Sequence, residues 1–320
     1  MKKIGVLTSG GDAPGMNAAI RAVVRAGLHY GYEVVGIRDG YKGLLEKNFQ
    51  KMEYRSVSDC LNRGGTILKT ARCLEFITPE GQQKAVENAR EEGLDGVVVI
   101  GGDGSFRGAR ELCNAGIPTI GIPATIDNDI TCTEYTIGYD TALNTVCDCI
   151  DKLKDTCASH NRCSVVEVMG RKAGHIAVEV AIANGAEAFI IPENSFDIKE
   201  DIINKINKTT KLGKKHFVII VAEGIGHSNK IAAQIETMTD IETRATILGH
   251  IQRGGTPTVR DRVMASRMGV KAIELLNDGK SNRVVALQND NIVDYDITEA
   301  LEMAKNVNNE LVKVFKDITY

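Results

Sequence analysis

The segment Gly96–Ile100 carries no polar side chain and leads directly into the loop Gly101–Ser105, which reads GGDGS. A continuous β-branched run is typical of a strand that is buried on both faces, as in a parallel sheet. Glycines at the carboxyl end of such a strand let backbone N–H groups approach a ligand, and a following helix directs its positive end at a phosphate. The junction therefore predicts a parallel sheet with a phosphate-binding loop; a tight strand-to-helix turn is the alternative interpretation.

Asp103 makes this loop unsuitable for a bare phosphate, because like charges repel. Mg²⁺ favours one or two carboxylates together with phosphate oxygens, so a cation between the two groups removes the repulsion. We therefore predict that the loop binds a metal–nucleotide complex rather than a dinucleotide, with Asp103 as the Mg²⁺ ligand.

Strand-like and helix-like runs alternate along the chain. The predicted strands are Lys3–Thr8, Glu33–Ile37, Gly96–Ile100, Thr119–Ile122, Ser164–Val168, Ala188–Ile191, Phe217–Ala222, Ala245–Gly249 and Val284–Gln288. Helical patterns fall between them, for example at Met16–Tyr30, Gln82–Glu92, Thr141–Ser159 and Pro257–Asn277. This alternation predicts an α/β fold with mainly parallel sheets, in which ligands collect at the carboxyl ends of the strands.

The composition is that of a metabolic enzyme without a nucleic-acid or membrane partner. With 320 residues the chain can form two domains with substantial cores, and its net charge of −3 argues against nucleic acid. Eight cysteines are scattered without a CxxC pair, which favours reduced thiols and predicts a cytoplasmic protein. No apolar stretch approaches the roughly 18 residues of a membrane span, and the start lacks the apolar core of a signal peptide.

A second glycine-containing loop, Thr8–Gly15, leads from the first predicted strand into a helix that begins near Met16. Glycines before a helix suit the approach of a phosphate, but a simple turn has the same composition. On that helix Arg21 and Arg25 stand one turn apart on one face. They form either an anion site or a solvated basic face, and the sequence leaves both open.

An acidic cluster, Thr125–Asp129 (TIDND), follows the predicted strand Thr119–Ile122. Asp127 and Asp129 stand at i and i+2 and can therefore face one site. One carboxylate could accept the proton of an attacking hydroxyl while the other orients metal-bound water or the base. An Asp/Asn-rich turn explains the same residues without chemistry.

Basic residues cluster around the later strands. The set comprises Arg162, Met169-Gly170-Arg171, Arg244 and His250–Gly255, together with the acidic Glu223. Arginine binds phosphates in a bidentate manner. A surface salt bridge explains any one of these arginines, but the whole set indicates a second anionic, polyhydroxyl ligand such as a sugar phosphate.

Five motifs together closely resemble the bacterial ATP-dependent 6-phosphofructokinases: Ser9–Asp12, Gly101–Ser105, Pro123–Asp129, Val166–Arg171 and Leu248–Gly255. The resemblance implies Mg²⁺-dependent transfer of the ATP γ-phosphoryl to the 1-hydroxyl of fructose 6-phosphate, the committed step of glycolysis. It also implies a homotetramer regulated by ADP and phosphoenolpyruvate, with two doubly wound, mainly parallel-sheet domains and the active site in the cleft between them. The expected limits are 1–138 plus 251–302 for the larger, nucleotide-binding domain and 139–250 plus 303–320 for the smaller, sugar-phosphate-binding domain.

The resemblance also implies roles residue by residue. The expected nucleotide and Mg²⁺ residues are Gly11, Arg72, Cys73, Gly102, Asp103, Gly104 and Ser105. The expected sugar-phosphate residues are Thr125, Ile126, Asp127, Arg162, Met169, Gly170, Arg171, Glu223, Arg244, His250, Ile251, Gln252 and Arg253, of which Arg162 and Arg244 come from a neighbouring subunit. The expected catalytic residues are Arg72, Thr125, Asp127 as the base, Asp129 and Arg171. The expected effector residues are Arg21, Arg25, Lys154, Gly185, Ala186, Glu187, Lys214, Lys215 and His216, with Glu187 holding Mg²⁺ on ADP.

Four positions bear on the phosphoryl donor or on effector binding. Ala124 stands where ATP-dependent members generally have Gly. Pyrophosphate-dependent relatives usually carry Asp and Lys at the positions of Gly104 and Ala124, so the absence of both favours ATP. Lys154 stands where the effector site usually has Arg, and Leu212 lies near another usual Arg, which predicts weaker effector binding.

Other functions fit the sequence less well. A pyrophosphate-dependent phosphofructokinase is the closest alternative. A nucleotide-sensing protein with a degenerate site is disfavoured because Asp103 and Asp127 are both present. A kinase of the same loop type that acts on NAD or a lipid would leave the basic set without a role, and a dehydrogenase is disfavoured because no GxGxxG follows a strand.

Overall fold

Strands and helices alternate along residues 2–319, which are the residues that the computed structural model describes. In chain order the elements are β1 (Lys3–Thr8), α1 (Met16–His29), β2 (Glu33–Ile37), α2 (Gly40–Glu46), β3 (Phe49–Met52), α3 (Pro79–Glu91), β4 (Gly96–Gly101), α4 (Asp103–Asn114), β5 (Thr119–Pro123), α5 (Tyr139–His160), β6 (Cys163–Val168), α6 (His175–Asn184), β7 (Ala188–Ile190), α7 (Asn204–Lys211), β8 (Phe217–Ala222), α8 (Ser228–Thr239), β9 (Thr243–Ile247), α9 (Val259–Asn277), β10 (Arg283–Gln288), β11 (Asn291–Asp296), α10 (Ile297–Glu302) and α11 (Asn309–Ile318). No helix among these residues is long and apolar enough to cross a lipid bilayer.

The described chain divides into two units. Unit 1 comprises 2–126, Ile130–Thr141 and Arg253–Lys305, and unit 2 comprises Asp127–Asp129, Ala142–Gln252 and 306–319. The sequence placed the corresponding limits after residues 138, 250 and 302. The assignment of a nucleotide to unit 1 and of a sugar phosphate to unit 2 stays a prediction.

Unit 1 contains a seven-stranded sheet in the order β11-β10-β5-β4-β1-β2-β3. Its five inner strands are parallel, and the edge strands β3 and β11 are antiparallel to their neighbours. Leu44 of α2 and Phe106 of α4 pack in one core with Leu7 and Val99 of the sheet. Helix α1 covers the opposite face of the sheet, where its Gly27 packs against Ile4 of β1. The predicted α/β fold with mainly parallel sheets is confirmed.

Unit 2 contains a four-stranded sheet in the order β7-β8-β6-β9, and every pair of neighbouring strands is parallel. All six residues of β8 are buried. Ile206 of α7 and Ile235 of α8 pack in one core with Val165 and Ile219 of the sheet. Helix α11 joins this unit through Phe315, whose ring centroid lies 4.8 Å from that of Phe189.

The sequence prediction was wrong at several element boundaries. It missed β3 and β11, because these edge strands carry exposed or half-buried polar side chains and not a continuous apolar run. It also placed β9 at Ala245–Gly249, whereas the strand ends at Ile247 and Gly249 begins a 3-10 helix at φ 54°. Helix α3 begins at Pro79 and not Gln82, because the Thr78 side chain accepts from the amide of Gly81 and caps the helix.

Asp261, in the first turn of α9, is a fully buried carboxylate that holds a loop of unit 1 in place. It accepts hydrogen bonds from the Tyr135 hydroxyl (2.5 Å), the Gly138 amide (2.7 Å), and the amide (2.9 Å) and hydroxyl (2.5 Å) of Thr141. Burial raises the pKa of Asp261, and the hydrogen bonds from Thr141, Tyr135 and Gly138 offset part of that rise. All four groups donate, so the site suits a carboxylate and not an amide.

We expect Asp261→Asn to destabilise the protein by about 1–3 kcal/mol. The amide N–H₂ of the new Asn side chain would face hydrogen-bond donors, and those donors would lose the carboxylate oxygen that now accepts from them. Urea unfolding followed by far-UV circular dichroism measures the change. Asp278→Asn, at an exposed position after the same helix, is the matched control and should leave the midpoint unchanged. Equal midpoints for the two variants would contradict the role given to Asp261.

Candidate functional site

The two glycine loops of unit 1 lie side by side because β1 and β4 are neighbouring parallel strands, with Thr8 opposite Ile100. The amide of Ser9 donates to the carbonyl oxygen of Ile100 (3.0 Å). A Cβ on Gly101 would lie 2.4 Å from the carbonyl oxygen of Ser9, so only glycine allows this approach. The structure therefore brings the first predicted loop against the second at one sheet edge.

Helix α4 begins within the second loop. Gly102 is its N-cap residue, and the helix begins at Asp103. The Tyr41 hydroxyl donates to the carbonyl oxygen of Ser105 (2.5 Å) and fixes the first turn. A Cβ on Gly104 would have no described neighbour within 4 Å, so this side of the helix start is open. An open helix N-terminus flanked by glycines suits an anionic ligand.

Asp103 keeps an accessible carboxylate at this helix start. Its side chain is 41% exposed and pairs with Arg107 one turn along the helix, at 3.1 Å between Oδ2 and Nε. Among residues 2–319, no group of three His, Cys, Asp or Glu side chains is arranged to hold a metal ion. The donor set at Asp103 fits Mg²⁺ that takes most of its ligands from phosphate oxygens and water.

Arg253 lies against the first loop. Its Nη1 donates to the carbonyl oxygen of Asp12 (3.2 Å), and a Cβ on Gly11 would come within 2.5 Å of the same nitrogen. The sequence grouped Arg253 with the sugar-phosphate residues, whereas in unit 1 it lies beside the predicted nucleotide residue Gly11.

The segment before Arg72 adjoins the same loop. The Thr70 hydroxyl donates to the carbonyl oxygen of Gly10 (2.8 Å), and the Thr8 hydroxyl donates to the carbonyl oxygen of Lys69 (2.8 Å). Arg72 itself is exposed. Cys73 is half-buried and packs against the core of unit 1, so its environment is mainly apolar.

Thr125 follows β5, and a Cβ on Gly102 would approach its Cβ at 3.9 Å. The amide of Ala124 donates to the carbonyl oxygen of Gly101 (3.0 Å), which joins this segment to the second loop. Ile126 is fully buried, and Asp127 is only 2% exposed.

In unit 2, Asp129 is joined to Arg171 by an ion pair of 3.4 Å between Oδ2 and Nη1. Glu223 accepts through Oε1 from the amides of Gly170 (3.2 Å) and Arg171 (2.6 Å). Both residues have positive φ, 137° and 55°, and the Glu223 carboxylate holds them in this turn. Glu223 therefore supports the loop that carries Arg171.

Gln252 supports the same loop from the other side. Its Oε1 accepts from the amide of Met169 (3.1 Å), and its Nε2 donates to the carbonyl oxygen of Gly249 (3.0 Å). The Gln252 side chain is fully buried, whereas its neighbours His250 and Ile251 are exposed. The predicted substrate residue Gln252 thus has its amide engaged within the protein.

Arg162 and Arg244 converge on Glu242, which the sequence analysis missed. Arg162 Nε lies 2.7 Å from Oε2, and Arg244 Nη2 lies 2.7 Å from Oε1. The hydrogen bonds from Arg162 and then Arg244 lower the pKa of Glu242. Glu242 stands two residues before Arg244 in the sequence, but its approach to Arg162 depends on the pairing of β6 with β9.

These two arginines lie at the opposite end of the sheet from Met169 and Arg171. Arg162 directly precedes β6 and Met169 directly follows it. At about 3.3 Å per residue the two ends of the strand are roughly 20 Å apart. One small sugar phosphate therefore cannot contact both ends of this sheet within a single unit 2.

The predicted effector residues of unit 1 line a cavity of about 310 Å³. Its lining comprises Arg21, Arg25, Ser58, Asp59, Leu61, Asn62 and Arg262. The Nε of Arg25 is buried and has no hydrogen-bond partner among the described residues. Asp59 and Arg262 were not predicted, because both are distant in sequence from α1.

A second cavity, of about 350 Å³, lies in unit 2. Its lining comprises Ala181, Gly185, Ala186, Glu187, Lys205, Thr209, Leu212, Lys214, Phe315, Ile318 and Thr319. Glu187 is buried and pairs through Oε1 with Lys214, while its Oε2 accepts from the amide of Val218 (3.0 Å). Both carboxylate oxygens are engaged, so the predicted Mg²⁺ role of Glu187 requires the Lys214 pair to open.

The remaining predicted effector residues surround this cavity. Lys154 donates through Nζ to the carbonyl oxygen of Asn184 (2.9 Å), one residue before Gly185. Lys215 is exposed and His216 half-buried, just before β8. Leu212, near the position of a usual family arginine, is a largely exposed part of the cavity wall.

We expect Gly101→Ala to destabilise the protein by about 1–3 kcal/mol, because the new Cβ would collide with the Ser9 carbonyl oxygen and the Ser105 side chain. Gly104→Ala is the matched control, since its Cβ enters open space in a helical turn. Urea unfolding of both variants measures the difference. If Gly101→Ala is as stable as Gly104→Ala, the two loops are not in contact as described.

Comparison with known proteins places the chain in a family. The phosphofructokinase family model matches residues 3–276. The ATP-dependent 6-phosphofructokinase of Clostridium tetani is 57% identical over 320 residues, which is the full length of both chains. The solved phosphofructokinase of Saccharomyces cerevisiae superposes with a TM-score of 0.87 at 34% identity, over 99% of this chain and 47% of the yeast chain. A pyrophosphate-dependent phosphofructokinase from Marinobacter aquaeolei superposes with a TM-score of 0.86 over 97% of this chain and 86% of its own, but at 19% identity it shows the fold alone. The chain belongs to the phosphofructokinase family.

Proposed function

We propose that this protein is an ATP-dependent 6-phosphofructokinase. It transfers the γ-phosphoryl group of ATP to the 1-hydroxyl of fructose 6-phosphate and yields fructose 1,6-bisphosphate and ADP, the committed step of glycolysis. The observation that carries this conclusion is 57% identity to a full-length relative of that name. The open start of α4 beside two glycine loops supports it, because phosphoryl transfer needs mainly alignment and charge neutralisation.

Unit 1 is proposed to bind the nucleotide. The amides at the start of α4 and the two glycine loops suit its phosphates, and Arg72 adds a positive charge from an exposed position. Asp103 would hold Mg²⁺, which when bound neutralises the oxygens of the β- and γ-phosphates. Gly104 and Ala124 carry no charge, which favours ATP over pyrophosphate.

Asp127 is proposed as the base. The 1-hydroxyl oxygen forms a bond to the γ-phosphorus while the bond to the ADP oxygen breaks, and the hydroxyl proton passes to the Asp127 carboxylate. Thr125 donates a hydrogen bond, Asp129 orients Arg171 through their ion pair, and Arg171 supplies positive charge. Met169 and Gly170 shape the sugar-phosphate loop that Glu223 and Gln252 support.

We propose a homotetramer in which Arg162 and Arg244 serve the substrate of a neighbouring subunit. Their position, roughly 20 Å from Arg171 along β6, supports this arrangement because one substrate molecule cannot reach both ends. We also propose that the enzyme acts in the cytoplasm, where its eight free cysteines would stay reduced.

We propose that ADP activates and phosphoenolpyruvate inhibits at the one effector site predicted from the sequence, whose residues Arg21, Arg25, Glu187 and Lys214 line the two cavities described above. The buried Nε of Arg25 and the Lys214 ammonium suit anionic ligands. Differential binding to two quaternary states would couple these ligands to fructose 6-phosphate affinity. Lys154 offers a point charge and not the bidentate grip of arginine, so effector binding should be weak.

A coupled assay with fructose 6-phosphate and Mg²⁺ tests the proposed activity. We expect product formation with ATP and none with pyrophosphate. Turnover with pyrophosphate alone would overturn the choice of phosphoryl donor, and no turnover with either donor would overturn the proposed function.

We expect Asp127→Ser to lower kcat by roughly 10²–10⁴-fold, the usual contribution of a positioned base, with little change in fructose 6-phosphate binding. Steady-state kinetics measure kcat, and isothermal titration calorimetry measures the binding. Asp155→Ser, on the exposed surface of α5, is the matched control and should keep wild-type kcat. A wild-type kcat for Asp127→Ser would remove this residue from the base role.

We expect Arg25→Ala to weaken phosphoenolpyruvate inhibition by roughly tenfold or more, because a hydrogen bond to a charged group contributes about 1.5–3 kcal/mol. Fructose 6-phosphate saturation curves with and without phosphoenolpyruvate measure the effect. Arg267→Ala removes an exposed arginine paired with Asp290 and should behave as the wild type. Equal inhibition of Arg25→Ala and wild type would show that this cavity is not the inhibitor site.

A further inference from the structure

We infer that Glu242 is a positioning residue that orders Arg162 and Arg244 as a ready-made anion clamp at the amino ends of β6 and β9. The inference rests on the proposed function, in which these two arginines bind the 6-phosphate of fructose 6-phosphate. Glu242 would act on substrate affinity through the arginines, without contact with the substrate.

The contacts of Glu242 give each arginine its own carboxylate oxygen. Arg162 Nε donates to Oε2 (2.7 Å), while Arg244 donates to Oε1 through Nη2 (2.7 Å) and Nε (3.1 Å). One side chain therefore fixes two guanidinium groups at the same time.

The sheet fixes where this carboxylate stands. The amide of Cys163 donates to the carbonyl oxygen of Glu242 (2.9 Å), and Cys163 lies opposite Thr243 in the parallel register of β6 and β9. Arg162 and Glu242 are therefore the residues immediately before the neighbouring strands β6 and β9. Their side chains meet because the strands pair in this register and in no other.

The clamp keeps donors for a ligand. The pairs with Glu242 use Nε of Arg162 and the Nε–Nη2 edge of Arg244, so both terminal nitrogens of Arg162 and Nη1 of Arg244 lie outside these pairs. The Arg244 side chain is 73% exposed and that of Arg162 is 31% exposed, so solvent reaches the pair. The three side chains together carry one net positive charge, which attracts a phosphate.

Ordering the arginines outweighs the repulsion between Glu242 and a phosphate. Arginine has many rotamers, and a free arginine loses that freedom only when the ligand binds. Here the hydrogen bonds to Glu242 already restrict both guanidinium groups before a ligand binds. Repulsion between exposed like charges is weakened by water and salt. The hydrogen bonds from both arginines lower the pKa of Glu242, so the carboxylate remains charged at neutral pH.

The test uses calorimetric titration of the full chain with fructose 6-phosphate in the absence of ATP. We expect Glu242→Gln to raise the Kd roughly 5- to 50-fold, as two arginine side chains must then be ordered on binding. The fructose 6-phosphate KM should rise in parallel, while kcat and the ATP KM stay within about twofold. Glu236→Gln removes the same charge from the exposed face of α8 and should bind as the wild type.

A double-mutant cycle separates positioning from a general structural role. In the Arg162→Ala/Arg244→Ala background, Glu242→Gln should have no further effect on the Kd, because the groups it positions are gone. Thermal unfolding identifies any variant that fails to fold. If Glu242→Gln does not fold, Glu242→Asp replaces it: this variant keeps the charge but shortens the side chain, and we expect its Kd to lie above that of the wild type.

The outcomes distinguish this inference from the proposed function. If the wild type is an active kinase but Glu242→Gln binds as tightly as wild type, the positioning role is wrong and the function stands. Tighter binding by Glu242→Gln would also overturn the role, since Glu242 would then compete with the phosphate. If the wild type has no kinase activity, titration with inorganic phosphate tests the role of Glu242 by itself. Equal phosphate affinity of the wild type and Glu242→Gln would overturn that role. Weaker phosphate binding by Glu242→Gln would support it.

Discussion

The parallel pairing of β1 with β4 is the constraint on which the chemistry of unit 1 depends. Because Thr8 stands opposite Ile100, both strands end together, and the loops that follow are forced into contact. Gly101 permits that contact, since any Cβ would strike the Ser9 carbonyl oxygen. The start of α4, the accessible carboxylate of Asp103 and the loop beside Arg253 all take their positions from this one pairing.

In unit 2, parallel strand pairing brings polar side chains together at both ends of the sheet. At the carboxyl end, Glu223 and Gln252 hold the turn that carries Arg171. At the amino end, Glu242 holds Arg162 beside a neighbouring strand. The length of β6 separates these two ends. Within one unit 2, Arg162 therefore lies far from the turn that carries Arg171.

Several acidic and amide side chains have a supporting role that their sequence motifs do not indicate. Glu223 and Gln252 stand in motifs that suggest contact with substrate, yet the described bonds join them to backbone amides of the loop. Glu187 is paired with Lys214 inside a cavity wall. Asp261, with four donors around it, fixes a turn of unit 1 and has no part in the proposed chemistry. A carboxylate is effective in this role because it accepts several hydrogen bonds at once.

The sequence alone determined the α/β class, the inner strands and the loops at their ends, because apolar β-branched runs and glycines are local signals. It did not determine the edge strands β3 and β11, whose polar residues resemble loops. It also could not bring Glu242 to Arg162 or Arg253 to Gly11, because those approaches join residues 80 or more positions apart. Strand order and register, which only the tertiary structure sets, decide such contacts.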